Sequence, residues 1–436
     1  MQKEQNTSLV WFRNDLRIHD NASLANAIGS NNRVIALYCF DPRQFEVDTF
    51  GFKKTEKYRA KFLIETVTDL KNNLALLNIP LFVYTIKPEN CIPNLVENYQ
   101  ISHIFFQEEW TQEEVDVFNK VKEKLPEHIQ ISTSFSQFLY HPEDIPFNIK
   151  QLPKVFTEFR KACEKRSEIR QETSSSTEKV NKESIENLTS IPSLSDLGFI
   201  DFEVHPNSAF PFKGGEIEAL QRLEDYFFNT KKLGVYKKTR NGLIGKDFSS
   251  KFSPWLANGS LSAKHIYYKV KQFEKAHFKN DSTYWLIFEL IWRDYFKYVS
   301  LKFGNQIFKI GGILNKDYQW SKNQQKINDW INGKTSEPFV NANMLELKKT
   351  GWMSNRGRQN VASYFAKSME LDWRIGAAYF ESLLLDYDVH SNYGNWMYVA
   401  GVGNDPRDRK FNVKLQADRY DSNGKYQRLW LQDTLF

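Results

Sequence analysis

The stretch LLLDYDVHSNYGNW, residues 383–396, changes from apolar to polar within a few positions. Two carboxylates, Asp386 and Asp388, stand on either side of a tyrosine, and the amide of Asn392 follows shortly before Trp396. The alternation indicates a turn or the end of a helix. A carboxylate, an amide and a neighbouring indole could together bind a flat heterocycle with N–H edges and an aromatic face.

Two further segments suit anions. In DFSSKFSPWLANGSLS, residues 247–262, three serines surround Lys251 near a predicted helix start, where hydroxyl and backbone N–H groups favour a phosphate. Capping of the helix by these serines is the alternative. In WMSNRGRQN, residues 352–360, two arginines follow an asparagine, and their rigid donor forks suit phosphates and carboxylates. Ordinary surface charge is the alternative there.

The segment YWLIFELIWRDYF, residues 284–296, is almost entirely apolar and aromatic but carries charge. Glu289 and Arg293 are four residues apart, so on a helix they share a face and could pair. Trp292 lies on the same side. A carboxylate among aromatic side chains is costly unless it is paired or faces a cavity. A structural ion pair and a functional carboxylate are both open interpretations.

The elements that position these groups follow from hydrophobic periodicity. Five apolar runs predict strands, and amphipathic segments at 55–77 and 111–124 predict helices between them. This alternation predicts a doubly wound α/β domain with a five-stranded parallel sheet over residues 1–135. Asp20 or Asn21 is expected to cap the first helix. The predicted strands are 8–13, 33–40, 80–86, 102–108 and 129–135.

The first strand runs into the charged segment LVWFRNDLRIHDN, residues 9–21. Arg13, Asp15 and Arg17 thus stand at the carboxyl end of a strand, where α/β sheets bind ligands. A salt-bridged domain edge explains them equally well. The domain contains neither GxGxxG nor GxxxxGK followed by Ser or Thr, which argues against the usual dinucleotide and P-loop enzymes.

A change of composition separates this domain from the rest of the chain. Residues 136–205 are predicted to be an interdomain linker, because 163–190 is rich in Ser, Glu and Lys and poor in large apolar residues. Strand signals nearly vanish afterwards, so an all-α domain is predicted for residues 206–436. Its expected helices are 214–229, 262–277, 282–302, 323–332, 338–349, 357–369 and 373–385.

Charge and cysteine usage narrow the classes of function. A net charge of +6 permits a polyanionic partner but equally fits a surface with surplus lysine. Cys39, Cys91 and Cys163 form neither a CxxC motif nor a zinc pattern, so a reducing, cytoplasmic location with no metal site is expected. The sequence shows no signal peptide and no apolar run of bilayer length, so a soluble protein is expected. The protein is also expected to be monomeric.

In this order, the motifs resemble the photolyase/cryptochrome family over nearly the whole chain, from LVWFRNDLR to YQRLWL. The resemblance is closest to the DASH cryptochromes. It implies an N-terminal antenna domain and a C-terminal helical domain that holds FAD in a bent conformation. The segments that carry it are KFSPWLA (251–257), FELIWRDYF (288–296), NRGRQNVASYF (355–365) and YGNWMYVAGVGNDPR (393–407).

The resemblance implies roles around FAD for individual residues. Asp386 would pair with Arg358 beside the isoalloxazine, and Asp388 would face its N–H edge. Asn392 would stand opposite N5, where an amide can reverse its hydrogen-bond direction as the flavin changes protonation state. Trp396, Trp373 and Trp320 would carry electrons from the surface to photoexcited FAD. Further expected cofactor contacts are Tyr236, Ser249, Ser250, Lys251, Phe252, Ser253, Arg293 and Asn355.

For DNA, the resemblance implies a pocket that receives a flipped cyclobutane pyrimidine dimer. Glu289 would hydrogen-bond the thymine carbonyl region, which requires a proton on its carboxyl group. Tyr398 stands where many double-strand photolyases have a second Trp, consistent with a preference for single strands, from which flipping is cheapest. The expected DNA contacts are Glu289, Trp292, Asn355, Arg356, Tyr398 and Gln416.

Two details concern the antenna and a departure from the family pattern. Glu109, in FFQEEWT, matches a position that contacts a folate in related proteins, so 5,10-methenyltetrahydrofolate is the expected antenna. In PFVNANMLEL, Asn341 and Leu345 stand where Asp and Arg are common. Loss of a charge pair there is expected to alter local geometry but to leave FAD binding intact.

The expected function is FAD-dependent, blue-light-driven repair of cyclobutane pyrimidine dimers, chiefly in single-stranded DNA, by a deoxyribodipyrimidine photolyase. The alternative is a blue-light photoreceptor that binds FAD and DNA but repairs little. Glu289, Trp292 and Asn355 favour repair, as does the early end of the sequence after RLWLQDTLF, since signalling cryptochromes often carry long tails. A non-photochemical nucleic-acid binder would leave Asp388, Asn392 and the Trp series unexplained.

Overall fold

A computed structural model describes residues 6–30, 32–174, 176 and 178–432 of the chain. Its N-terminal strands are β1 (Thr7–Trp11), β2 (Arg33–Cys39), β3 (Leu81–Tyr84), β4 (Ile101–Gln107) and β5 (Gln130–Ser134). The helices between them are α1 (Ala22–Gly29), α2 (Lys57–Leu76), α3 (Pro88–Tyr99) and α4 (Gln112–Glu123). All five strands are parallel, in the order β3-β2-β1-β4-β5, which confirms the predicted sheet.

The central strands are apolar because both faces of the sheet are covered. Every residue of β1 is buried, and β2 is buried beyond its first residue. Leu9 of β1 stands in register between Ile35 of β2 and Ile104 of β4. Asn21 caps α1 by accepting a hydrogen bond from the N–H of Leu24 at 2.9 Å, as one of the two predicted caps.

The connection that follows the sheet is irregular apart from α5 (Phe156–Arg166). Its polar composition predicts solvent exposure, but part of it packs on the sheet domain. The buried Asn181 side chain exchanges hydrogen bonds of 2.8 Å with the backbone of Val34 and donates another of 2.8 Å to the Asn78 carbonyl. Three apolar side chains join the core beside the sheet, namely Leu194, Leu197 and Phe199.

The rest of the described chain is helical, as predicted, although the prediction stopped at residue 385 and missed the last three helices. Two helices continue into short π-helical turns, Asp225–Asn229 and Tyr364–Ser368. The helices are α6 (Glu216–Glu224), α7 (Tyr236–Thr239), α8 (Ser253–Ala257), α9 (Ala263–Ala276), α10 (Asp281–Phe303), α11 (Gln324–Ile331), α12 (Pro338–Thr350), α13 (Asn355–Ser363), α14 (Trp373–Leu383), α15 (Val389–Ala400), α16 (Val413–Tyr420) and α17 (Lys425–Leu431).

Arg17 joins the sheet domain to the helical part. Its buried guanidinium donates to the carbonyls of Gly259, at 2.8 Å, and Ser136, at 3.1 Å. Gly259 has a φ of +75°, and a Cβ there would lie 1.9 Å from the Asn14 carbonyl oxygen, so only glycine permits this approach. Arg17 therefore lies at the edge between the two parts, but among the described residues it binds carbonyls rather than the carboxylate of a salt bridge. Among the described residues, no helix combines the length and apolar character needed to cross a membrane.

Candidate functional site

A cavity that opens to solvent lies between α13, α14 and α15. Apolar side chains form much of its wall, and a few polar groups converge on it, which is typical of small-molecule sites. The structure thus brings together residues that are far apart in the sequence. Six of the predicted site residues line it: Asn355, Arg358, Asp386, Asp388, Asn392 and Trp396.

One wall of the cavity is the stretch LLLDYDVHSNYGNW. Helix α14 ends at Leu383, and Asp388 caps α15, since its Oδ1 accepts a hydrogen bond from the N–H of Ser391 at 2.7 Å. Gly394 lets α15 approach α10, because a Cβ there would lie 2.3 Å from the ring of Phe296. The predicted turn or helix end is therefore the end of one helix and the start of the next.

Arg358 and Asp386 form an ion pair, with 2.9 Å between Nη2 and Oδ1. The Asp386 side chain is almost fully buried, and Arg358 also donates from Nε to the Met353 carbonyl at 2.9 Å. The guanidinium of Arg358 is not oriented to donate a hydrogen bond to Oδ1 of Asp386, so the two groups interact through their charges. The pair fixes a positive and a negative group side by side on the cavity wall.

Lys297, on α10, is the partner of Asp388. The Nζ–Oδ2 distance is 3.0 Å, and the side chains are only 4% and 11% exposed. Burial opposes ionisation of Asp388, but it is outweighed by the nearby positive charges, that of Lys297 first, together with the hydrogen bond from the N–H of Ser391, so the pKa of Asp388 lies well below its usual range. Asp388 is therefore a carboxylate at neutral pH and can only accept hydrogen bonds.

Asn392 is buried on the first turn of α15. Its Nδ2 donates to the carbonyl of Ala377 on α14 at 3.0 Å, an assignment that rests on the hydrogen-bond network. This bond uses the donor end of the amide and leaves its carbonyl oxygen for the cavity. Two acceptors, Asp388 and Asn392, thus stand one helical turn apart on the same wall.

Lys251 is a buried cation that lacks an acceptor. Its side chain is 2% exposed, and no described residue offers Nζ a hydrogen bond. Nζ lies 3.4 Å from the ring centre of Phe248 and 4.6 Å from that of Trp352. Burial lowers the pKa of Lys251 well below its ordinary value, although the carboxylate of Glu346 opposes this. An anionic ligand would satisfy such a group.

Arg222 holds the backbone on the N-terminal side of Lys251. Its buried guanidinium donates to the carbonyls of Ser249 and Ser250, both at 3.2 Å, and pairs with Asp247 at 3.0 Å. The segment around Lys251 is thereby fixed by an arginine from α6. Of the other residues predicted on this side, Tyr236, Ser250 and Phe252 are buried, Ser249 is half-buried and Ser253 is exposed.

The three tryptophans of the predicted electron path run from the cavity towards the surface. Trp396 lines the cavity and is 2% exposed, Trp373 is fully buried, and Trp320 is partly exposed. Helix α14, which begins at Trp373, packs on Trp396, since a Cβ at Gly376 would lie 2.3 Å from that indole. Backbone hydrogen bonds join Ser321, next to Trp320, to the residues just before Trp373.

Trp330 is a further tryptophan in contact with Trp396 that the sequence did not single out. The ring centres are 6.2 Å apart in an edge-to-face arrangement. Trp330 is fully buried, and its Nε1 donates to the Val361 carbonyl at 3.1 Å. Trp330 therefore competes with Trp373, which begins the helix that packs on Trp396, as the next electron donor. Nothing in the sequence distinguishes Trp330 from a core residue.

Glu289 pairs with Arg240 rather than with Arg293. The Nη1–Oε1 distance is 2.5 Å, and 28% of the Glu289 side chain remains exposed. Arg293 instead donates to the carbonyls of Gln137, at 2.5 Å, and Leu256, at 3.0 Å. Burial raises the pKa of Glu289, and Arg240 only partly offsets this. The four-residue spacing on α10 therefore did not identify the partner.

Three of the predicted DNA contacts lie along one chain of polar groups. Arg356 donates from Nη2 to Oδ1 of Asn241 at 3.1 Å, and Asn241 follows Arg240. On its other side, Nη1 of Arg356 lies 3.4 Å from Oε1 of Gln416. Residues from α10, α13, α16 and the loop after α7 thus meet next to the cavity that Asn355 lines.

Trp292 and Tyr398 stand together near this chain. Their rings are perpendicular, with centres 5.9 Å apart. Phe156 covers one face of Trp292 in a stacked contact of 3.6 Å. The hydroxyl of Tyr398 accepts a hydrogen bond from Nη2 of Arg409 at 2.7 Å. The two aromatic rings offer an apolar corner beside the charged groups.

Glu109 belongs to a polar group at the carboxyl ends of the strands. Its Oε1 accepts from Gln107 at 2.9 Å and from Asn14 at 3.4 Å. Burial, and then the charge of Glu109, raise the pKa of Glu114 to about 7. Three buried oxygens here find no donor among the described residues, namely Oε1 of Gln107, Oε2 of Glu114 and Oε1 of Gln137. The group offers a ligand acceptors rather than donors.

An aromatic stack connects this polar group to the cavity wall. Trp110, next to Glu109, stacks on His390 of α15 with ring centres 4.6 Å apart. Nδ1 of His390 lies 2.6 Å from the hydroxyl of Ser300, which also accepts from Nε1 of Trp110 at 2.8 Å. Burial lowers the pKa of His390 well below its ordinary value, so the ring is neutral. These contacts give His390 a structural role.

Asn341 and Leu345, which depart from the family pattern, fit into the structure with uncharged partners. Asn341 accepts from the backbone N–H and the hydroxyl of Thr335, at 2.9 and 2.7 Å, and donates to the Thr335 carbonyl at 2.8 Å. Leu345 packs in the core against Gly333, whose φ is +62°. A neutral hydrogen-bonded turn and apolar packing occupy the place of the expected charge pair.

Comparison with known proteins identifies the class. The DNA photolyase domain matches residues 8–178, and the FAD binding domain of DNA photolyase matches residues 285–434. The protein is therefore a flavoprotein of the photolyase and cryptochrome class, and FAD is its cofactor. The buried acceptors of the cavity and the unpaired cation Lys251 fit a ligand with N–H edges and phosphates.

The chain belongs to the cryptochrome DASH family. It is 46% identical to Cryptochrome DASH of Gloeobacter violaceus, over 98% of this chain and 86% of that protein. It is 48% identical to the Xenopus laevis protein of that name, over 98% of this chain and 82% of that protein. The crystal structure of a Synechocystis cryptochrome superposes with a TM-score of 0.95 at 45% identity, covering 99% and 90% of the two chains.

A more distant structure shares the fold alone. A class III photolyase from Agrobacterium tumefaciens superposes with a TM-score of 0.83 at 24% identity, over 99% of this chain and 88% of that chain. The arrangement of a parallel sheet followed by a helical part is therefore shared with this photolyase as well as with the cryptochrome. The choice between repair and light reception has to come from the residues of the site.

Proposed function

We propose that the protein repairs cyclobutane pyrimidine dimers, chiefly in single-stranded DNA, when illuminated with blue light. The observation that supports this most is the chain of contacts from Glu289 through Arg240 and Asn241 to Arg356 and Gln416. It gathers a carboxyl group, arginines and amides beside the cavity, next to an aromatic corner. Such a set suits a flipped pyrimidine pair with its phosphates.

Around FAD, the residues of this chain would act by position and charge. Arg358 and Asp386 would lie beside the ring system, Asp388 would accept from its N–H edge, and Asn392 would present an amide opposite N5. Lys251, with the segment that Arg222 fixes, would hold the phosphates. When bound and reduced, FAD supplies the electron that opens the cyclobutane ring and takes it back afterwards.

The tryptophans would keep the cofactor reduced. Trp396 would give up an electron on the cavity wall, and Trp373 and then Trp320 would replace it from the surface. Trp396 lines the cavity and Trp320 is the partly exposed one of the three, which supports this direction of transfer.

We also propose 5,10-methenyltetrahydrofolate as the antenna. Its pterin ring carries N–H donors, and the group around Glu109 offers three buried oxygens that find no donor among the described residues. The stack of Trp110 on His390 would set the antenna site against the FAD cavity. Mass spectrometry of the small molecules released when the purified protein is denatured identifies a folate.

The function is tested by illuminating the reduced protein with a single-stranded oligonucleotide that contains one thymine dimer. We expect dimer splitting under blue light and none in the dark, with slower splitting in the matching duplex. Bound flavin without splitting would contradict the repair function. It would favour the photoreceptor function that the names of the cryptochrome relatives suggest.

Repair is expected to fall as pH rises, because Glu289 must carry a proton to donate a hydrogen bond to the thymine. The pKa of Glu289 is raised, so its protonated fraction decreases as pH passes upward through that value. Glu289→Gln donates at every pH. We therefore expect the variant to lose this pH dependence and to match or exceed the wild type at high pH.

The measurement is the quantum yield of splitting at several pH values between 5 and 9. Asp281→Asn is the matched control, since Asp281 begins the same helix but forms an exposed ion pair with Lys237. It should keep the wild-type profile. A Glu289→Gln variant with an unchanged pH profile would show that another group titrates.

A further inference from the structure

Two of the three cysteines are in contact within the sheet domain. Cys39 ends β2, and Cys91 lies in the first turn of α3, 52 positions later. Their sulfur atoms are 3.4 Å apart, and the residues are 7% and 3% exposed. A disulfide needs about 2.05 Å, so a small approach of two neighbouring sulfurs would suffice. Cys163 packs in the separate core of the helical part.

A second cavity gives access to one of the two sulfurs. It opens to solvent and is lined by Cys91 but not by Cys39. Three asparagines at four-residue spacing on α3, Asn90, Asn94 and Asn98, line it with amide donors and acceptors. The ammonium of Lys124 lies 3.0 Å from Oδ1 of Asn90 and adds a positive charge nearby. Amides and a cation suit a small peptide with carboxylates.

We propose that Cys39 and Cys91 form a reversible disulfide, and that a low-molecular-weight peptide disulfide of the glutathione type is the oxidant. Cys91 gives up its proton and attacks one sulfur of the oxidant, which forms a mixed disulfide and releases one glutathione thiolate that takes up that proton. Cys39 then attacks the Cys91 sulfur, its proton goes to the departing glutathione thiolate, and the second glutathione leaves. One disulfide is reduced and one is formed, so electrons and protons balance.

The surroundings of the two cysteines determine which of them reacts with the oxidant first. The contact with Cys91 and burial raise the pKa of the Cys39 thiol well above its usual range. Cys39 therefore keeps its proton while Cys91, at the cavity, meets the oxidant first. The two cysteines lie on a strand and a helix that are fixed by the sheet, so the second step needs little rearrangement. The α/β domain would thus respond to the thiol–disulfide balance around it, independently of DNA repair.

The experiment uses the full-length, FAD-loaded protein in the dark with oxidised glutathione. After desalting and unfolding, the wild type should have lost two of its three thiols with no glutathione attached, and dithiothreitol should restore them. Peptide mapping should show the Cys39–Cys91 link, which requires no variant. Cys163→Ser, the matched control, should lose both remaining thiols at the same rate.

Two single variants distinguish the cysteine that reacts with the oxidant from the cysteine that closes the disulfide. Cys39→Ser should accumulate one glutathione on Cys91, whereas Cys91→Ser should take up none, and bound-flavin absorbance reports that each is folded. Three free thiols in the treated wild type would overturn the proposal, provided that the unfolded protein reacts in parallel. A glutathione adduct or a cross-link on Cys163 would also overturn it.

Discussion

Replacing Trp396 by phenylalanine is expected to slow the photoreduction of bound FAD by at least an order of magnitude. Trp396 lines the cavity and contacts the helix that carries Trp373. Phenylalanine keeps an aromatic ring in this buried position but is far harder to oxidise than an indole, so it interrupts electron supply with little loss of packing. The loss of oxidised-flavin absorbance under blue light, with an external reductant present, gives the rate.

Trp330→Phe is the matched control, because Trp330 is as buried as Trp373 and its ring touches that of Trp396. If electrons pass through Trp373, Trp330→Phe should reduce flavin at nearly the wild-type rate, whereas Trp373→Phe should be slow. Slow photoreduction in Trp330→Phe with a nearly wild-type rate in Trp373→Phe would show that the electrons pass through Trp330. An unchanged rate in Trp396→Phe would mean that neither route carries the electron.

The sheet was predictable because its signal is local. Apolar runs such as RVIALYC can be buried on both faces only in a covered parallel sheet, and the helical segments between them fix the connections. Helix α15 was not predicted, and the reason also lies in its local sequence. Asn392, Gly394 and Asn395 lower its helix propensity, and the reason for Gly394 lies in Phe296, about a hundred residues earlier.

The residue types of the site were visible in the sequence, but their partners were not. The spacing on α10 suggested Arg293 for Glu289, whereas the structure supplies Arg240 from the end of α7. Lys297 gave no signal at all, since one lysine in an apolar helix resembles a solvated charge. Its role depends on a contact with Asp388 across 91 positions. Hydrophobic periodicity predicts the structure of a single helix or strand, whereas a buried ion pair depends on how two such elements pack together.

That ion pair leads to the largest expected change in stability. Lys297→Met removes the cation and leaves the Asp388 carboxylate buried without its ion-pair partner, which should cost about 3–5 kcal/mol of the free energy of unfolding. Lys237→Met is the matched control, because its pair with Asp281 lies at the surface, where about 0–1 kcal/mol is expected. Urea unfolding at pH 7, with the FAD content held equal, measures both.

The pH dependence of this loss identifies Asp388 as its cause. In the wild type, Lys297 holds the pKa of Asp388 below the unfolded value of about 3.9, so the ionised carboxylate stabilises the fold above that pH and its contribution is lost as pH falls. In Lys297→Met burial prevails and raises that pKa, so protonation should recover stability as pH falls from 7 towards 5. The double variant Lys297→Met with Asp388→Asn should be more stable than Lys297→Met at pH 7 and should not show this recovery. If the difference in free energy of unfolding between Lys297→Met and the wild type stays constant with pH, the loss comes from packing around the lysine instead.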